Sequence, residues 1–214
     1  DEMNLQTSSV IADIGSGTGI SARLFLENGN EVFGVEPNEA MREAAKIFLQ
    51  DFPKFHALNG TAEKTTLDEK SVETIIAAQA FHWFDKAKTQ TEFRRILQEK
   101  GFVALIWNER QLDSNEFLRE YERFLLEFGT DYKEVRHEKI TREIISDFFQ
   151  KEFRLEVFLN SQTLDFAGLR GRVMSSSYMP TEDDLRFEEM EKELNQLFTR
   201  YQKNDIITVL YDTN

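Results

Sequence analysis

Cysteine is absent from the 214 residues. That rules out disulfides, thiolate metal ligands and a cysteine nucleophile. Histidine occurs three times, and His56, His82 and His137 share no ligand spacing, so no metal site is expected. Basic residues are outnumbered, 26 Lys and Arg against 39 Asp and Glu, for a net charge of −13. So acidic a surface repels a phosphate backbone, and no nucleic-acid partner is expected. No apolar run approaches the roughly 20 residues of a membrane span. No basic-then-apolar leader opens the chain. No membrane partner is expected, and a cytoplasmic location is. No repeat, low-complexity tract or linker interrupts the sequence, whose length suits one domain.

What is present is an alternation. Apolar runs at 9–14, 31–35, 55–58, 72–78 and 102–107 read as buried strands. Helical spacing separates them at 19–28, 39–51 and 88–98. Such alternation implies a parallel sheet with right-handed crossovers, covered by helices on both faces. After residue 108 the texture changes. Segments 115–128, 141–149, 165–176 and 182–203 read as helices, and 154–159 and 206–211 as strands. The expectation is a single α/β domain over 1–214. Residues 1–110 form its cofactor-binding core, and 111–214 a small helical cap plus the last strands.

The strongest motif is Asp13-Ile14-Gly15-Ser16-Gly17-Thr18-Gly19, after a strand and before a helix. Its glycines permit a tight turn and close approach by a ligand. A dinucleotide fingerprint requires Gly-x-Gly-x-x-Gly, and counted from Gly15 its third small position falls on Ile20. Asp13 points the same way, because a carboxylate beside the loop repels a pyrophosphate. S-adenosylmethionine (SAM) carries a sulfonium and an ammonium and no phosphate, so an acid at the strand end attracts it. Glu36, followed by Pro37, stands about 20 residues after the glycines, where dinucleotide enzymes also place an acid. A carboxylate there can accept both ribose hydroxyls.

From Val10 to Glu36 the chain resembles the first motif and acidic second-strand end of the seven-stranded, Rossmann-like SAM-dependent methyltransferases, a likeness that extends over about 9–108. The resemblance implies SAM as cofactor, held by Asp13, Gly15, Ser16, Gly17, Thr18, Glu36 and Pro37. It implies adenine contacts from Thr61, Ala62 and Glu63, and it places Gln79 and Ala80 beside the methionine end or the substrate. Many relatives carry an aspartate where Thr61 stands. The absence of cysteine excludes the covalent mechanism of the cytosine-C5 enzymes. The Asn/Asp-Pro-Pro-aromatic motif of the adenine-N6 and amide enzymes is also missing.

Ala78-Gln79-Ala80-Phe81-His82-Trp83-Phe84-Asp85 resembles a smaller, type 11 group, that of trans-aconitate and ubiquinone/menaquinone-biosynthesis methyltransferases. Ile106-Trp107-Asn108-Glu109-Arg110 fits it too, as does, more loosely, the stretch from Gly168 to Pro180. The group implies a small-molecule acceptor. His82 is the candidate base, since its ordinary pKa lies near neutrality, although a carboxylate acceptor needs none. A backbone-bonded spacer role is the equal alternative for His82. Trp83, Trp107, Arg110, Arg170 and Tyr178 are the candidate substrate contacts, with Arg172 beside them. Arginine forks suit a carboxylate; surface charge balance is the competing reading for each. Family members carry a helical segment before the first strand, which here begins at residue 9.

Overall fold

The computed structural model describes residues 5–132 and 140–214. His137 lies outside them. The chain divides into two compact units, one of residues 1–107 and 140–154, the other of residues 108–139 and 155–214.

The first unit is a five-stranded parallel sheet in the order β3-β2-β1-β4-β5. Its strands are β1 (Val10–Ile14), β2 (Glu31–Val35), β3 (Phe55–Leu58), β4 (Val72–Ala78) and β5 (Leu97–Ile106). The helices are α1 (Ile20–Glu27), α2 (Glu39–Phe48), α3 (Lys86–Ile96) and α5 (Arg142–Phe149). β1 and β4 are central and largely apolar, as strands covered on both faces must be. Ile11, Val32 and Ile76 pack with Ala22 and Leu26 of α1 in one core cluster, and Ala12, Ile14, Val35, Ile75 and Ala77 belong to another. This second cluster holds an aromatic knot, in which Phe81, Phe93 and Phe148 meet edge to face. Asn38, Asp85 and Thr141 cap α2, α3 and α5 by accepting backbone N–H bonds.

The second unit holds α4 (Glu116–Phe128), α6 (Phe166–Met174) and α7 (Phe187–Tyr201). Its sheet is three-stranded and antiparallel, with β8 (Ile207–Thr213) between β6 (Asn108–Arg110) and β7 (Phe158–Leu164). Here the expected seven-stranded sheet is corrected: among the described residues there are five parallel strands and a separate sheet of three. The cause is composition. β7 reads Phe-Leu-Asn-Ser-Gln-Thr-Leu and is exposed along nearly its whole length, so it cannot lie inside a sheet buried on both faces. It also begins later than the strand expected at 154–159. Asp165 caps α6 within the helix expected over 165–176, and α7 is shorter than the 182–203 expectation.

In the first unit, Glu92 of α3 is buried and ties down the loop after β3. Its Oε1 accepts from the Thr65 N–H (2.8 Å) and Thr65 hydroxyl (2.6 Å). Arg95 donates to both of its oxygens, at 2.7 and 2.8 Å. The Arg95 bonds outweigh burial and, with those from Thr65, hold the Glu92 carboxyl at about 2. A depressed carboxyl stabilises above its unfolded pKa and loses that contribution as pH falls through its folded one. Glu92→Gln is therefore expected to lower stability by about 2 kcal/mol at neutral pH, after discounting for the half-exposed arginine. Most of that difference should vanish towards pH 2 in urea unfolding. An equal loss at both ends of the pH range would remove the electrostatic explanation.

Candidate active site

At the carboxyl end of β1 the chain turns through three glycines, all with positive φ: Gly15 at 71°, Gly17 at 55° and Gly19 at 86°. A side chain is strained in that region. Two of the three are also pressed upon. A Cβ on Gly15 would lie 2.6 Å from the Ala80 methyl, and one on Gly19 would lie 2.6 Å from Leu49 Cδ1. A Cβ on Gly17 would meet nothing within 4 Å, so the loop's crest borders open space. Gly15 and Ser16 donate to the Val35 carbonyl (2.8 and 3.2 Å), pinning the loop to the end of β2.

Two carboxylates flank this loop. Glu36, 8% exposed, accepts from the Gly17 N–H through Oε2 (3.0 Å) and from the Asn38 N–H through Oε1 (2.9 Å). Asp13 is fully buried. Its Oδ2 accepts the Ser21 hydroxyl at 2.6 Å, while Oδ1 has no hydrogen-bond partner. Burial pushes its carboxyl up to about 6, against the hydrogen bonds from Ser21 and Ala22, and the nearby Glu36 charge adds to the rise. Among the described residues no basic side chain pairs with either acid. Arg42 instead bonds the Glu36 and Pro37 carbonyls (2.9 and 2.7 Å) and Asn59 Oδ1 (3.3 Å). It thereby joins the ends of β2 and β3.

After β3, Thr61 is exposed, Ala62 buried and Glu63 half-buried. Glu63 Oε1 accepts the Asp85 N–H at 2.9 Å. Burial pushes the Glu63 carboxyl up, but the bonds from Thr61 and Asp85 outweigh it and hold it below its ordinary value. After β4, Gln79 adopts a left-handed backbone (φ 56°) and donates its N–H to the Ile106 carbonyl. Such a conformation in a non-glycine residue costs of order 1 kcal/mol and gathers at functional sites. A short 3-10 turn over Phe81–Trp83 follows. There His82 is half-buried, with its ring 4.5 Å from that of Trp83 and 5.2 Å from that of Trp107. Trp83 itself is 80% exposed.

Thus the first unit gathers the predicted cofactor residues and His82, Trp83 and Trp107 at the carboxyl ends of adjacent parallel strands, where ligands bind in this architecture. Arg110, Arg170 and Tyr178 belong to the second unit. There Arg110 pairs with Glu122 and Arg170 with Glu191. Sequence reasoning misses Ser21, which orients Asp13, and Arg42, which braces Glu36. A hydroxyl in the first turn of α1 and an arginine one turn into α2 are the available signals.

The fit to SAM rests on an orphaned oxygen. A buried carboxylate with one unpartnered atom and no cation, beside a glycine crest open to ligand, suits a cationic nucleoside and opposes a pyrophosphate.

Residues 12–105 match the family model described as a methyltransferase domain. An uncharacterized methyltransferase of Mycobacterium tuberculosis is 38% identical over 100 residues, which is 47% of this chain but only 40% of that protein. A methyltransferase-like protein of Schizosaccharomyces pombe is 25% identical over the whole chain and 83% of its own length. Among solved structures, a protein provisionally assigned as a methyltransferase of an antibiotic biosynthesis pathway in Anabaena variabilis shares the fold (TM-score 0.62). It is 22% identical, with 98% of this chain and 91% of that one covered. The likeness to a methyltransferase domain thus extends over residues 12–105 of the chain's 214.

Proposed function

We propose that the protein is an enzyme that transfers the methyl group of SAM to a small-molecule acceptor, a carboxylate or other oxygen nucleophile, in the cytoplasm. The observation that carries this reading is the uncompensated pair of buried acids, Asp13 and Glu36, around the glycine loop. SAM supplies an electrophilic methyl group on a sulfonium, so the protein's main task is alignment. Asp13 attracts the cationic methionine end. Glu36, fixed by the Gly17 and Asn38 amides, accepts the ribose hydroxyls, while Thr61, Ala62 and Glu63 border adenine. Gln79 and Ala80 position the methionine portion, and His82, Trp83 and Trp107 line the acceptor side. A carboxylate acceptor attacks without losing a proton; for a phenol, His82 takes it.

Calorimetric titration of the folded chain with SAM, S-adenosylhomocysteine and NADH tests the reading. Micromolar binding of the first two and weaker binding of NADH is expected. Tighter binding of NADH would point to a dinucleotide enzyme. Tight SAM binding without methylation of any acid, phenol or amine in a labelled-methyl screen would leave a binding module instead.

A further inference from the structure

Arg42 stands where helix electrostatics disfavour it. It is near the start of α2, whose N-terminus carries partial positive charge, and helical side chains lean back towards that end. Its guanidinium reaches back over the Glu36-Pro37-Asn38 loop, where a single nitrogen, Nη1, gathers three oxygens. They are the carbonyls of Glu36 (2.9 Å) and Pro37 (2.7 Å) and the side-chain Oδ1 of Asn59 (3.3 Å). An arginine Nη carries two hydrogens, so acceptors outnumber protons at this point. Oxygens converging so closely repel one another unless a cation sits among them. An arrangement kept against both effects calls for a reason.

The second observation concerns what Arg42 leaves alone. Among the described residues it forms no ion pair, although the Glu36 carboxylate belongs to the same loop. The two Glu36 oxygens take backbone N–H groups instead, from Gly17 and Asn38. A carboxylate has about four acceptor positions, so half of them remain for a ligand. The guanidinium therefore fixes the backbone of residue 36 and leaves its carboxylate charge to the ligand. On its other side it grips Asn59, which follows β3 and shortly precedes Thr61. Beside that contact the Glu36 N–H donates to the Leu58 carbonyl at 3.1 Å. The loop that carries Glu36 and the loop that carries Thr61, Ala62 and Glu63 thus share one brace.

We infer that Arg42 is a positioning residue for the cofactor: through the Glu36 carbonyl and Asn59 it sets the distance between the ribose acceptor and the adenine loop, and with it the site's selectivity for an intact ribose. This rests on the SAM reading proposed above and extends it to a residue that acts through others.

S-adenosylhomocysteine and its 2′-deoxyribose analogue, titrated calorimetrically into the full chain, provide the test. The unaltered chain should prefer the first by at least about tenfold, the discrimination expected of one charge-assisted contact. Arg42→Met should cut that preference to about threefold or less, because a Glu36 that wanders no longer reads the 2′-hydroxyl. Arg42→Lys keeps a charge beside the carbonyls and should restore part of it. Asn59→Ala severs the tie to β3 alone and should lower the preference severalfold. Combined with Arg42→Met it should add nothing further, since both act through one contact. A brace that only stabilises the fold would lower the melting temperature of Arg42→Met and leave the ratio of the two affinities unchanged, and that result overturns the inference. So do additive losses in the double variant. Should Arg42→Met not fold, Asn59→Ala carries the same comparison, and an unchanged ratio there overturns the inference equally. Equal binding of the two compounds by the unaltered chain sinks this inference alone and leaves SAM as cofactor; binding of neither sinks the cofactor reading itself.

Discussion

Replacing Asp13 by asparagine raises the melting temperature of the ligand-free protein by several degrees and weakens its binding of SAM about ten- to a hundredfold. The two effects share one cause. The buried carboxyl titrates at about 6 in the folded chain, against an ordinary value of 3.8. A raised carboxyl favours folding while protonated, and that advantage is lost as pH rises from about 4 through 6. Above pH 6 the buried charge costs roughly 3 kcal/mol. Asparagine removes the cost, and its oxygen can still accept the Ser21 hydroxyl. A cationic ligand also relieves the cost, and asparagine cannot make use of it. SAM binding to the unaltered chain should therefore release a proton below pH 6 and tighten as pH rises to that point. In Asp13→Asn the dependence should disappear. Calorimetry in buffers of different ionisation enthalpy reads this directly. SAM affinity in Asp13→Asn that matches the unaltered chain would show that the acid has no part in binding.

Glu36→Gln should weaken SAM and S-adenosylhomocysteine alike, by about a hundredfold, because their ribose is common. Both Glu36 oxygens receive backbone N–H groups, from Gly17 and Asn38. A glutamine must turn its amide NH2 towards one of them, setting donor against donor. The loop then loses a strut, and stability should fall by about 1–2 kcal/mol. The ratio of the two affinities is the critical readout. A variant that lost SAM but kept the demethylated product would place Glu36 near the sulfonium instead. Affinities within about threefold of the unaltered chain would separate Glu36 from the cofactor altogether.

The sequence itself carries much of the first unit. Strands β1 to β4 fall where apolar runs meet turn residues, because a doubly covered parallel sheet writes itself as near-continuous hydrophobicity. The spacing of Asp13, the glycines and Glu36 likewise survives in one dimension, since neighbouring parallel strands end at the same level. The second unit is less readable. β7 is half polar and exposed, and its pairing with β8 depends on a partner some fifty residues away, so local pattern carries little of it. Segment 140–154, expected in a cap, groups instead with residues 1–107, where Phe148 meets Phe81 and Phe93. Nor can sequence tell that Arg110 and Arg170 are held by glutamates. Ion pairing is a property of distance, and the partners stand 12 and 21 positions off.

The closeness of Gly15 to the Ala80 methyl has an evolutionary reading. The two positions occupy a single small volume from opposite sides, one at the exit of β1 and the other past the exit of β4. Position 15 cannot gain a β-carbon unless position 80 yields. A β-carbon at 15 would have to displace the one already at 80 for as long as the loop keeps its course, so drift at the first site is policed by the second.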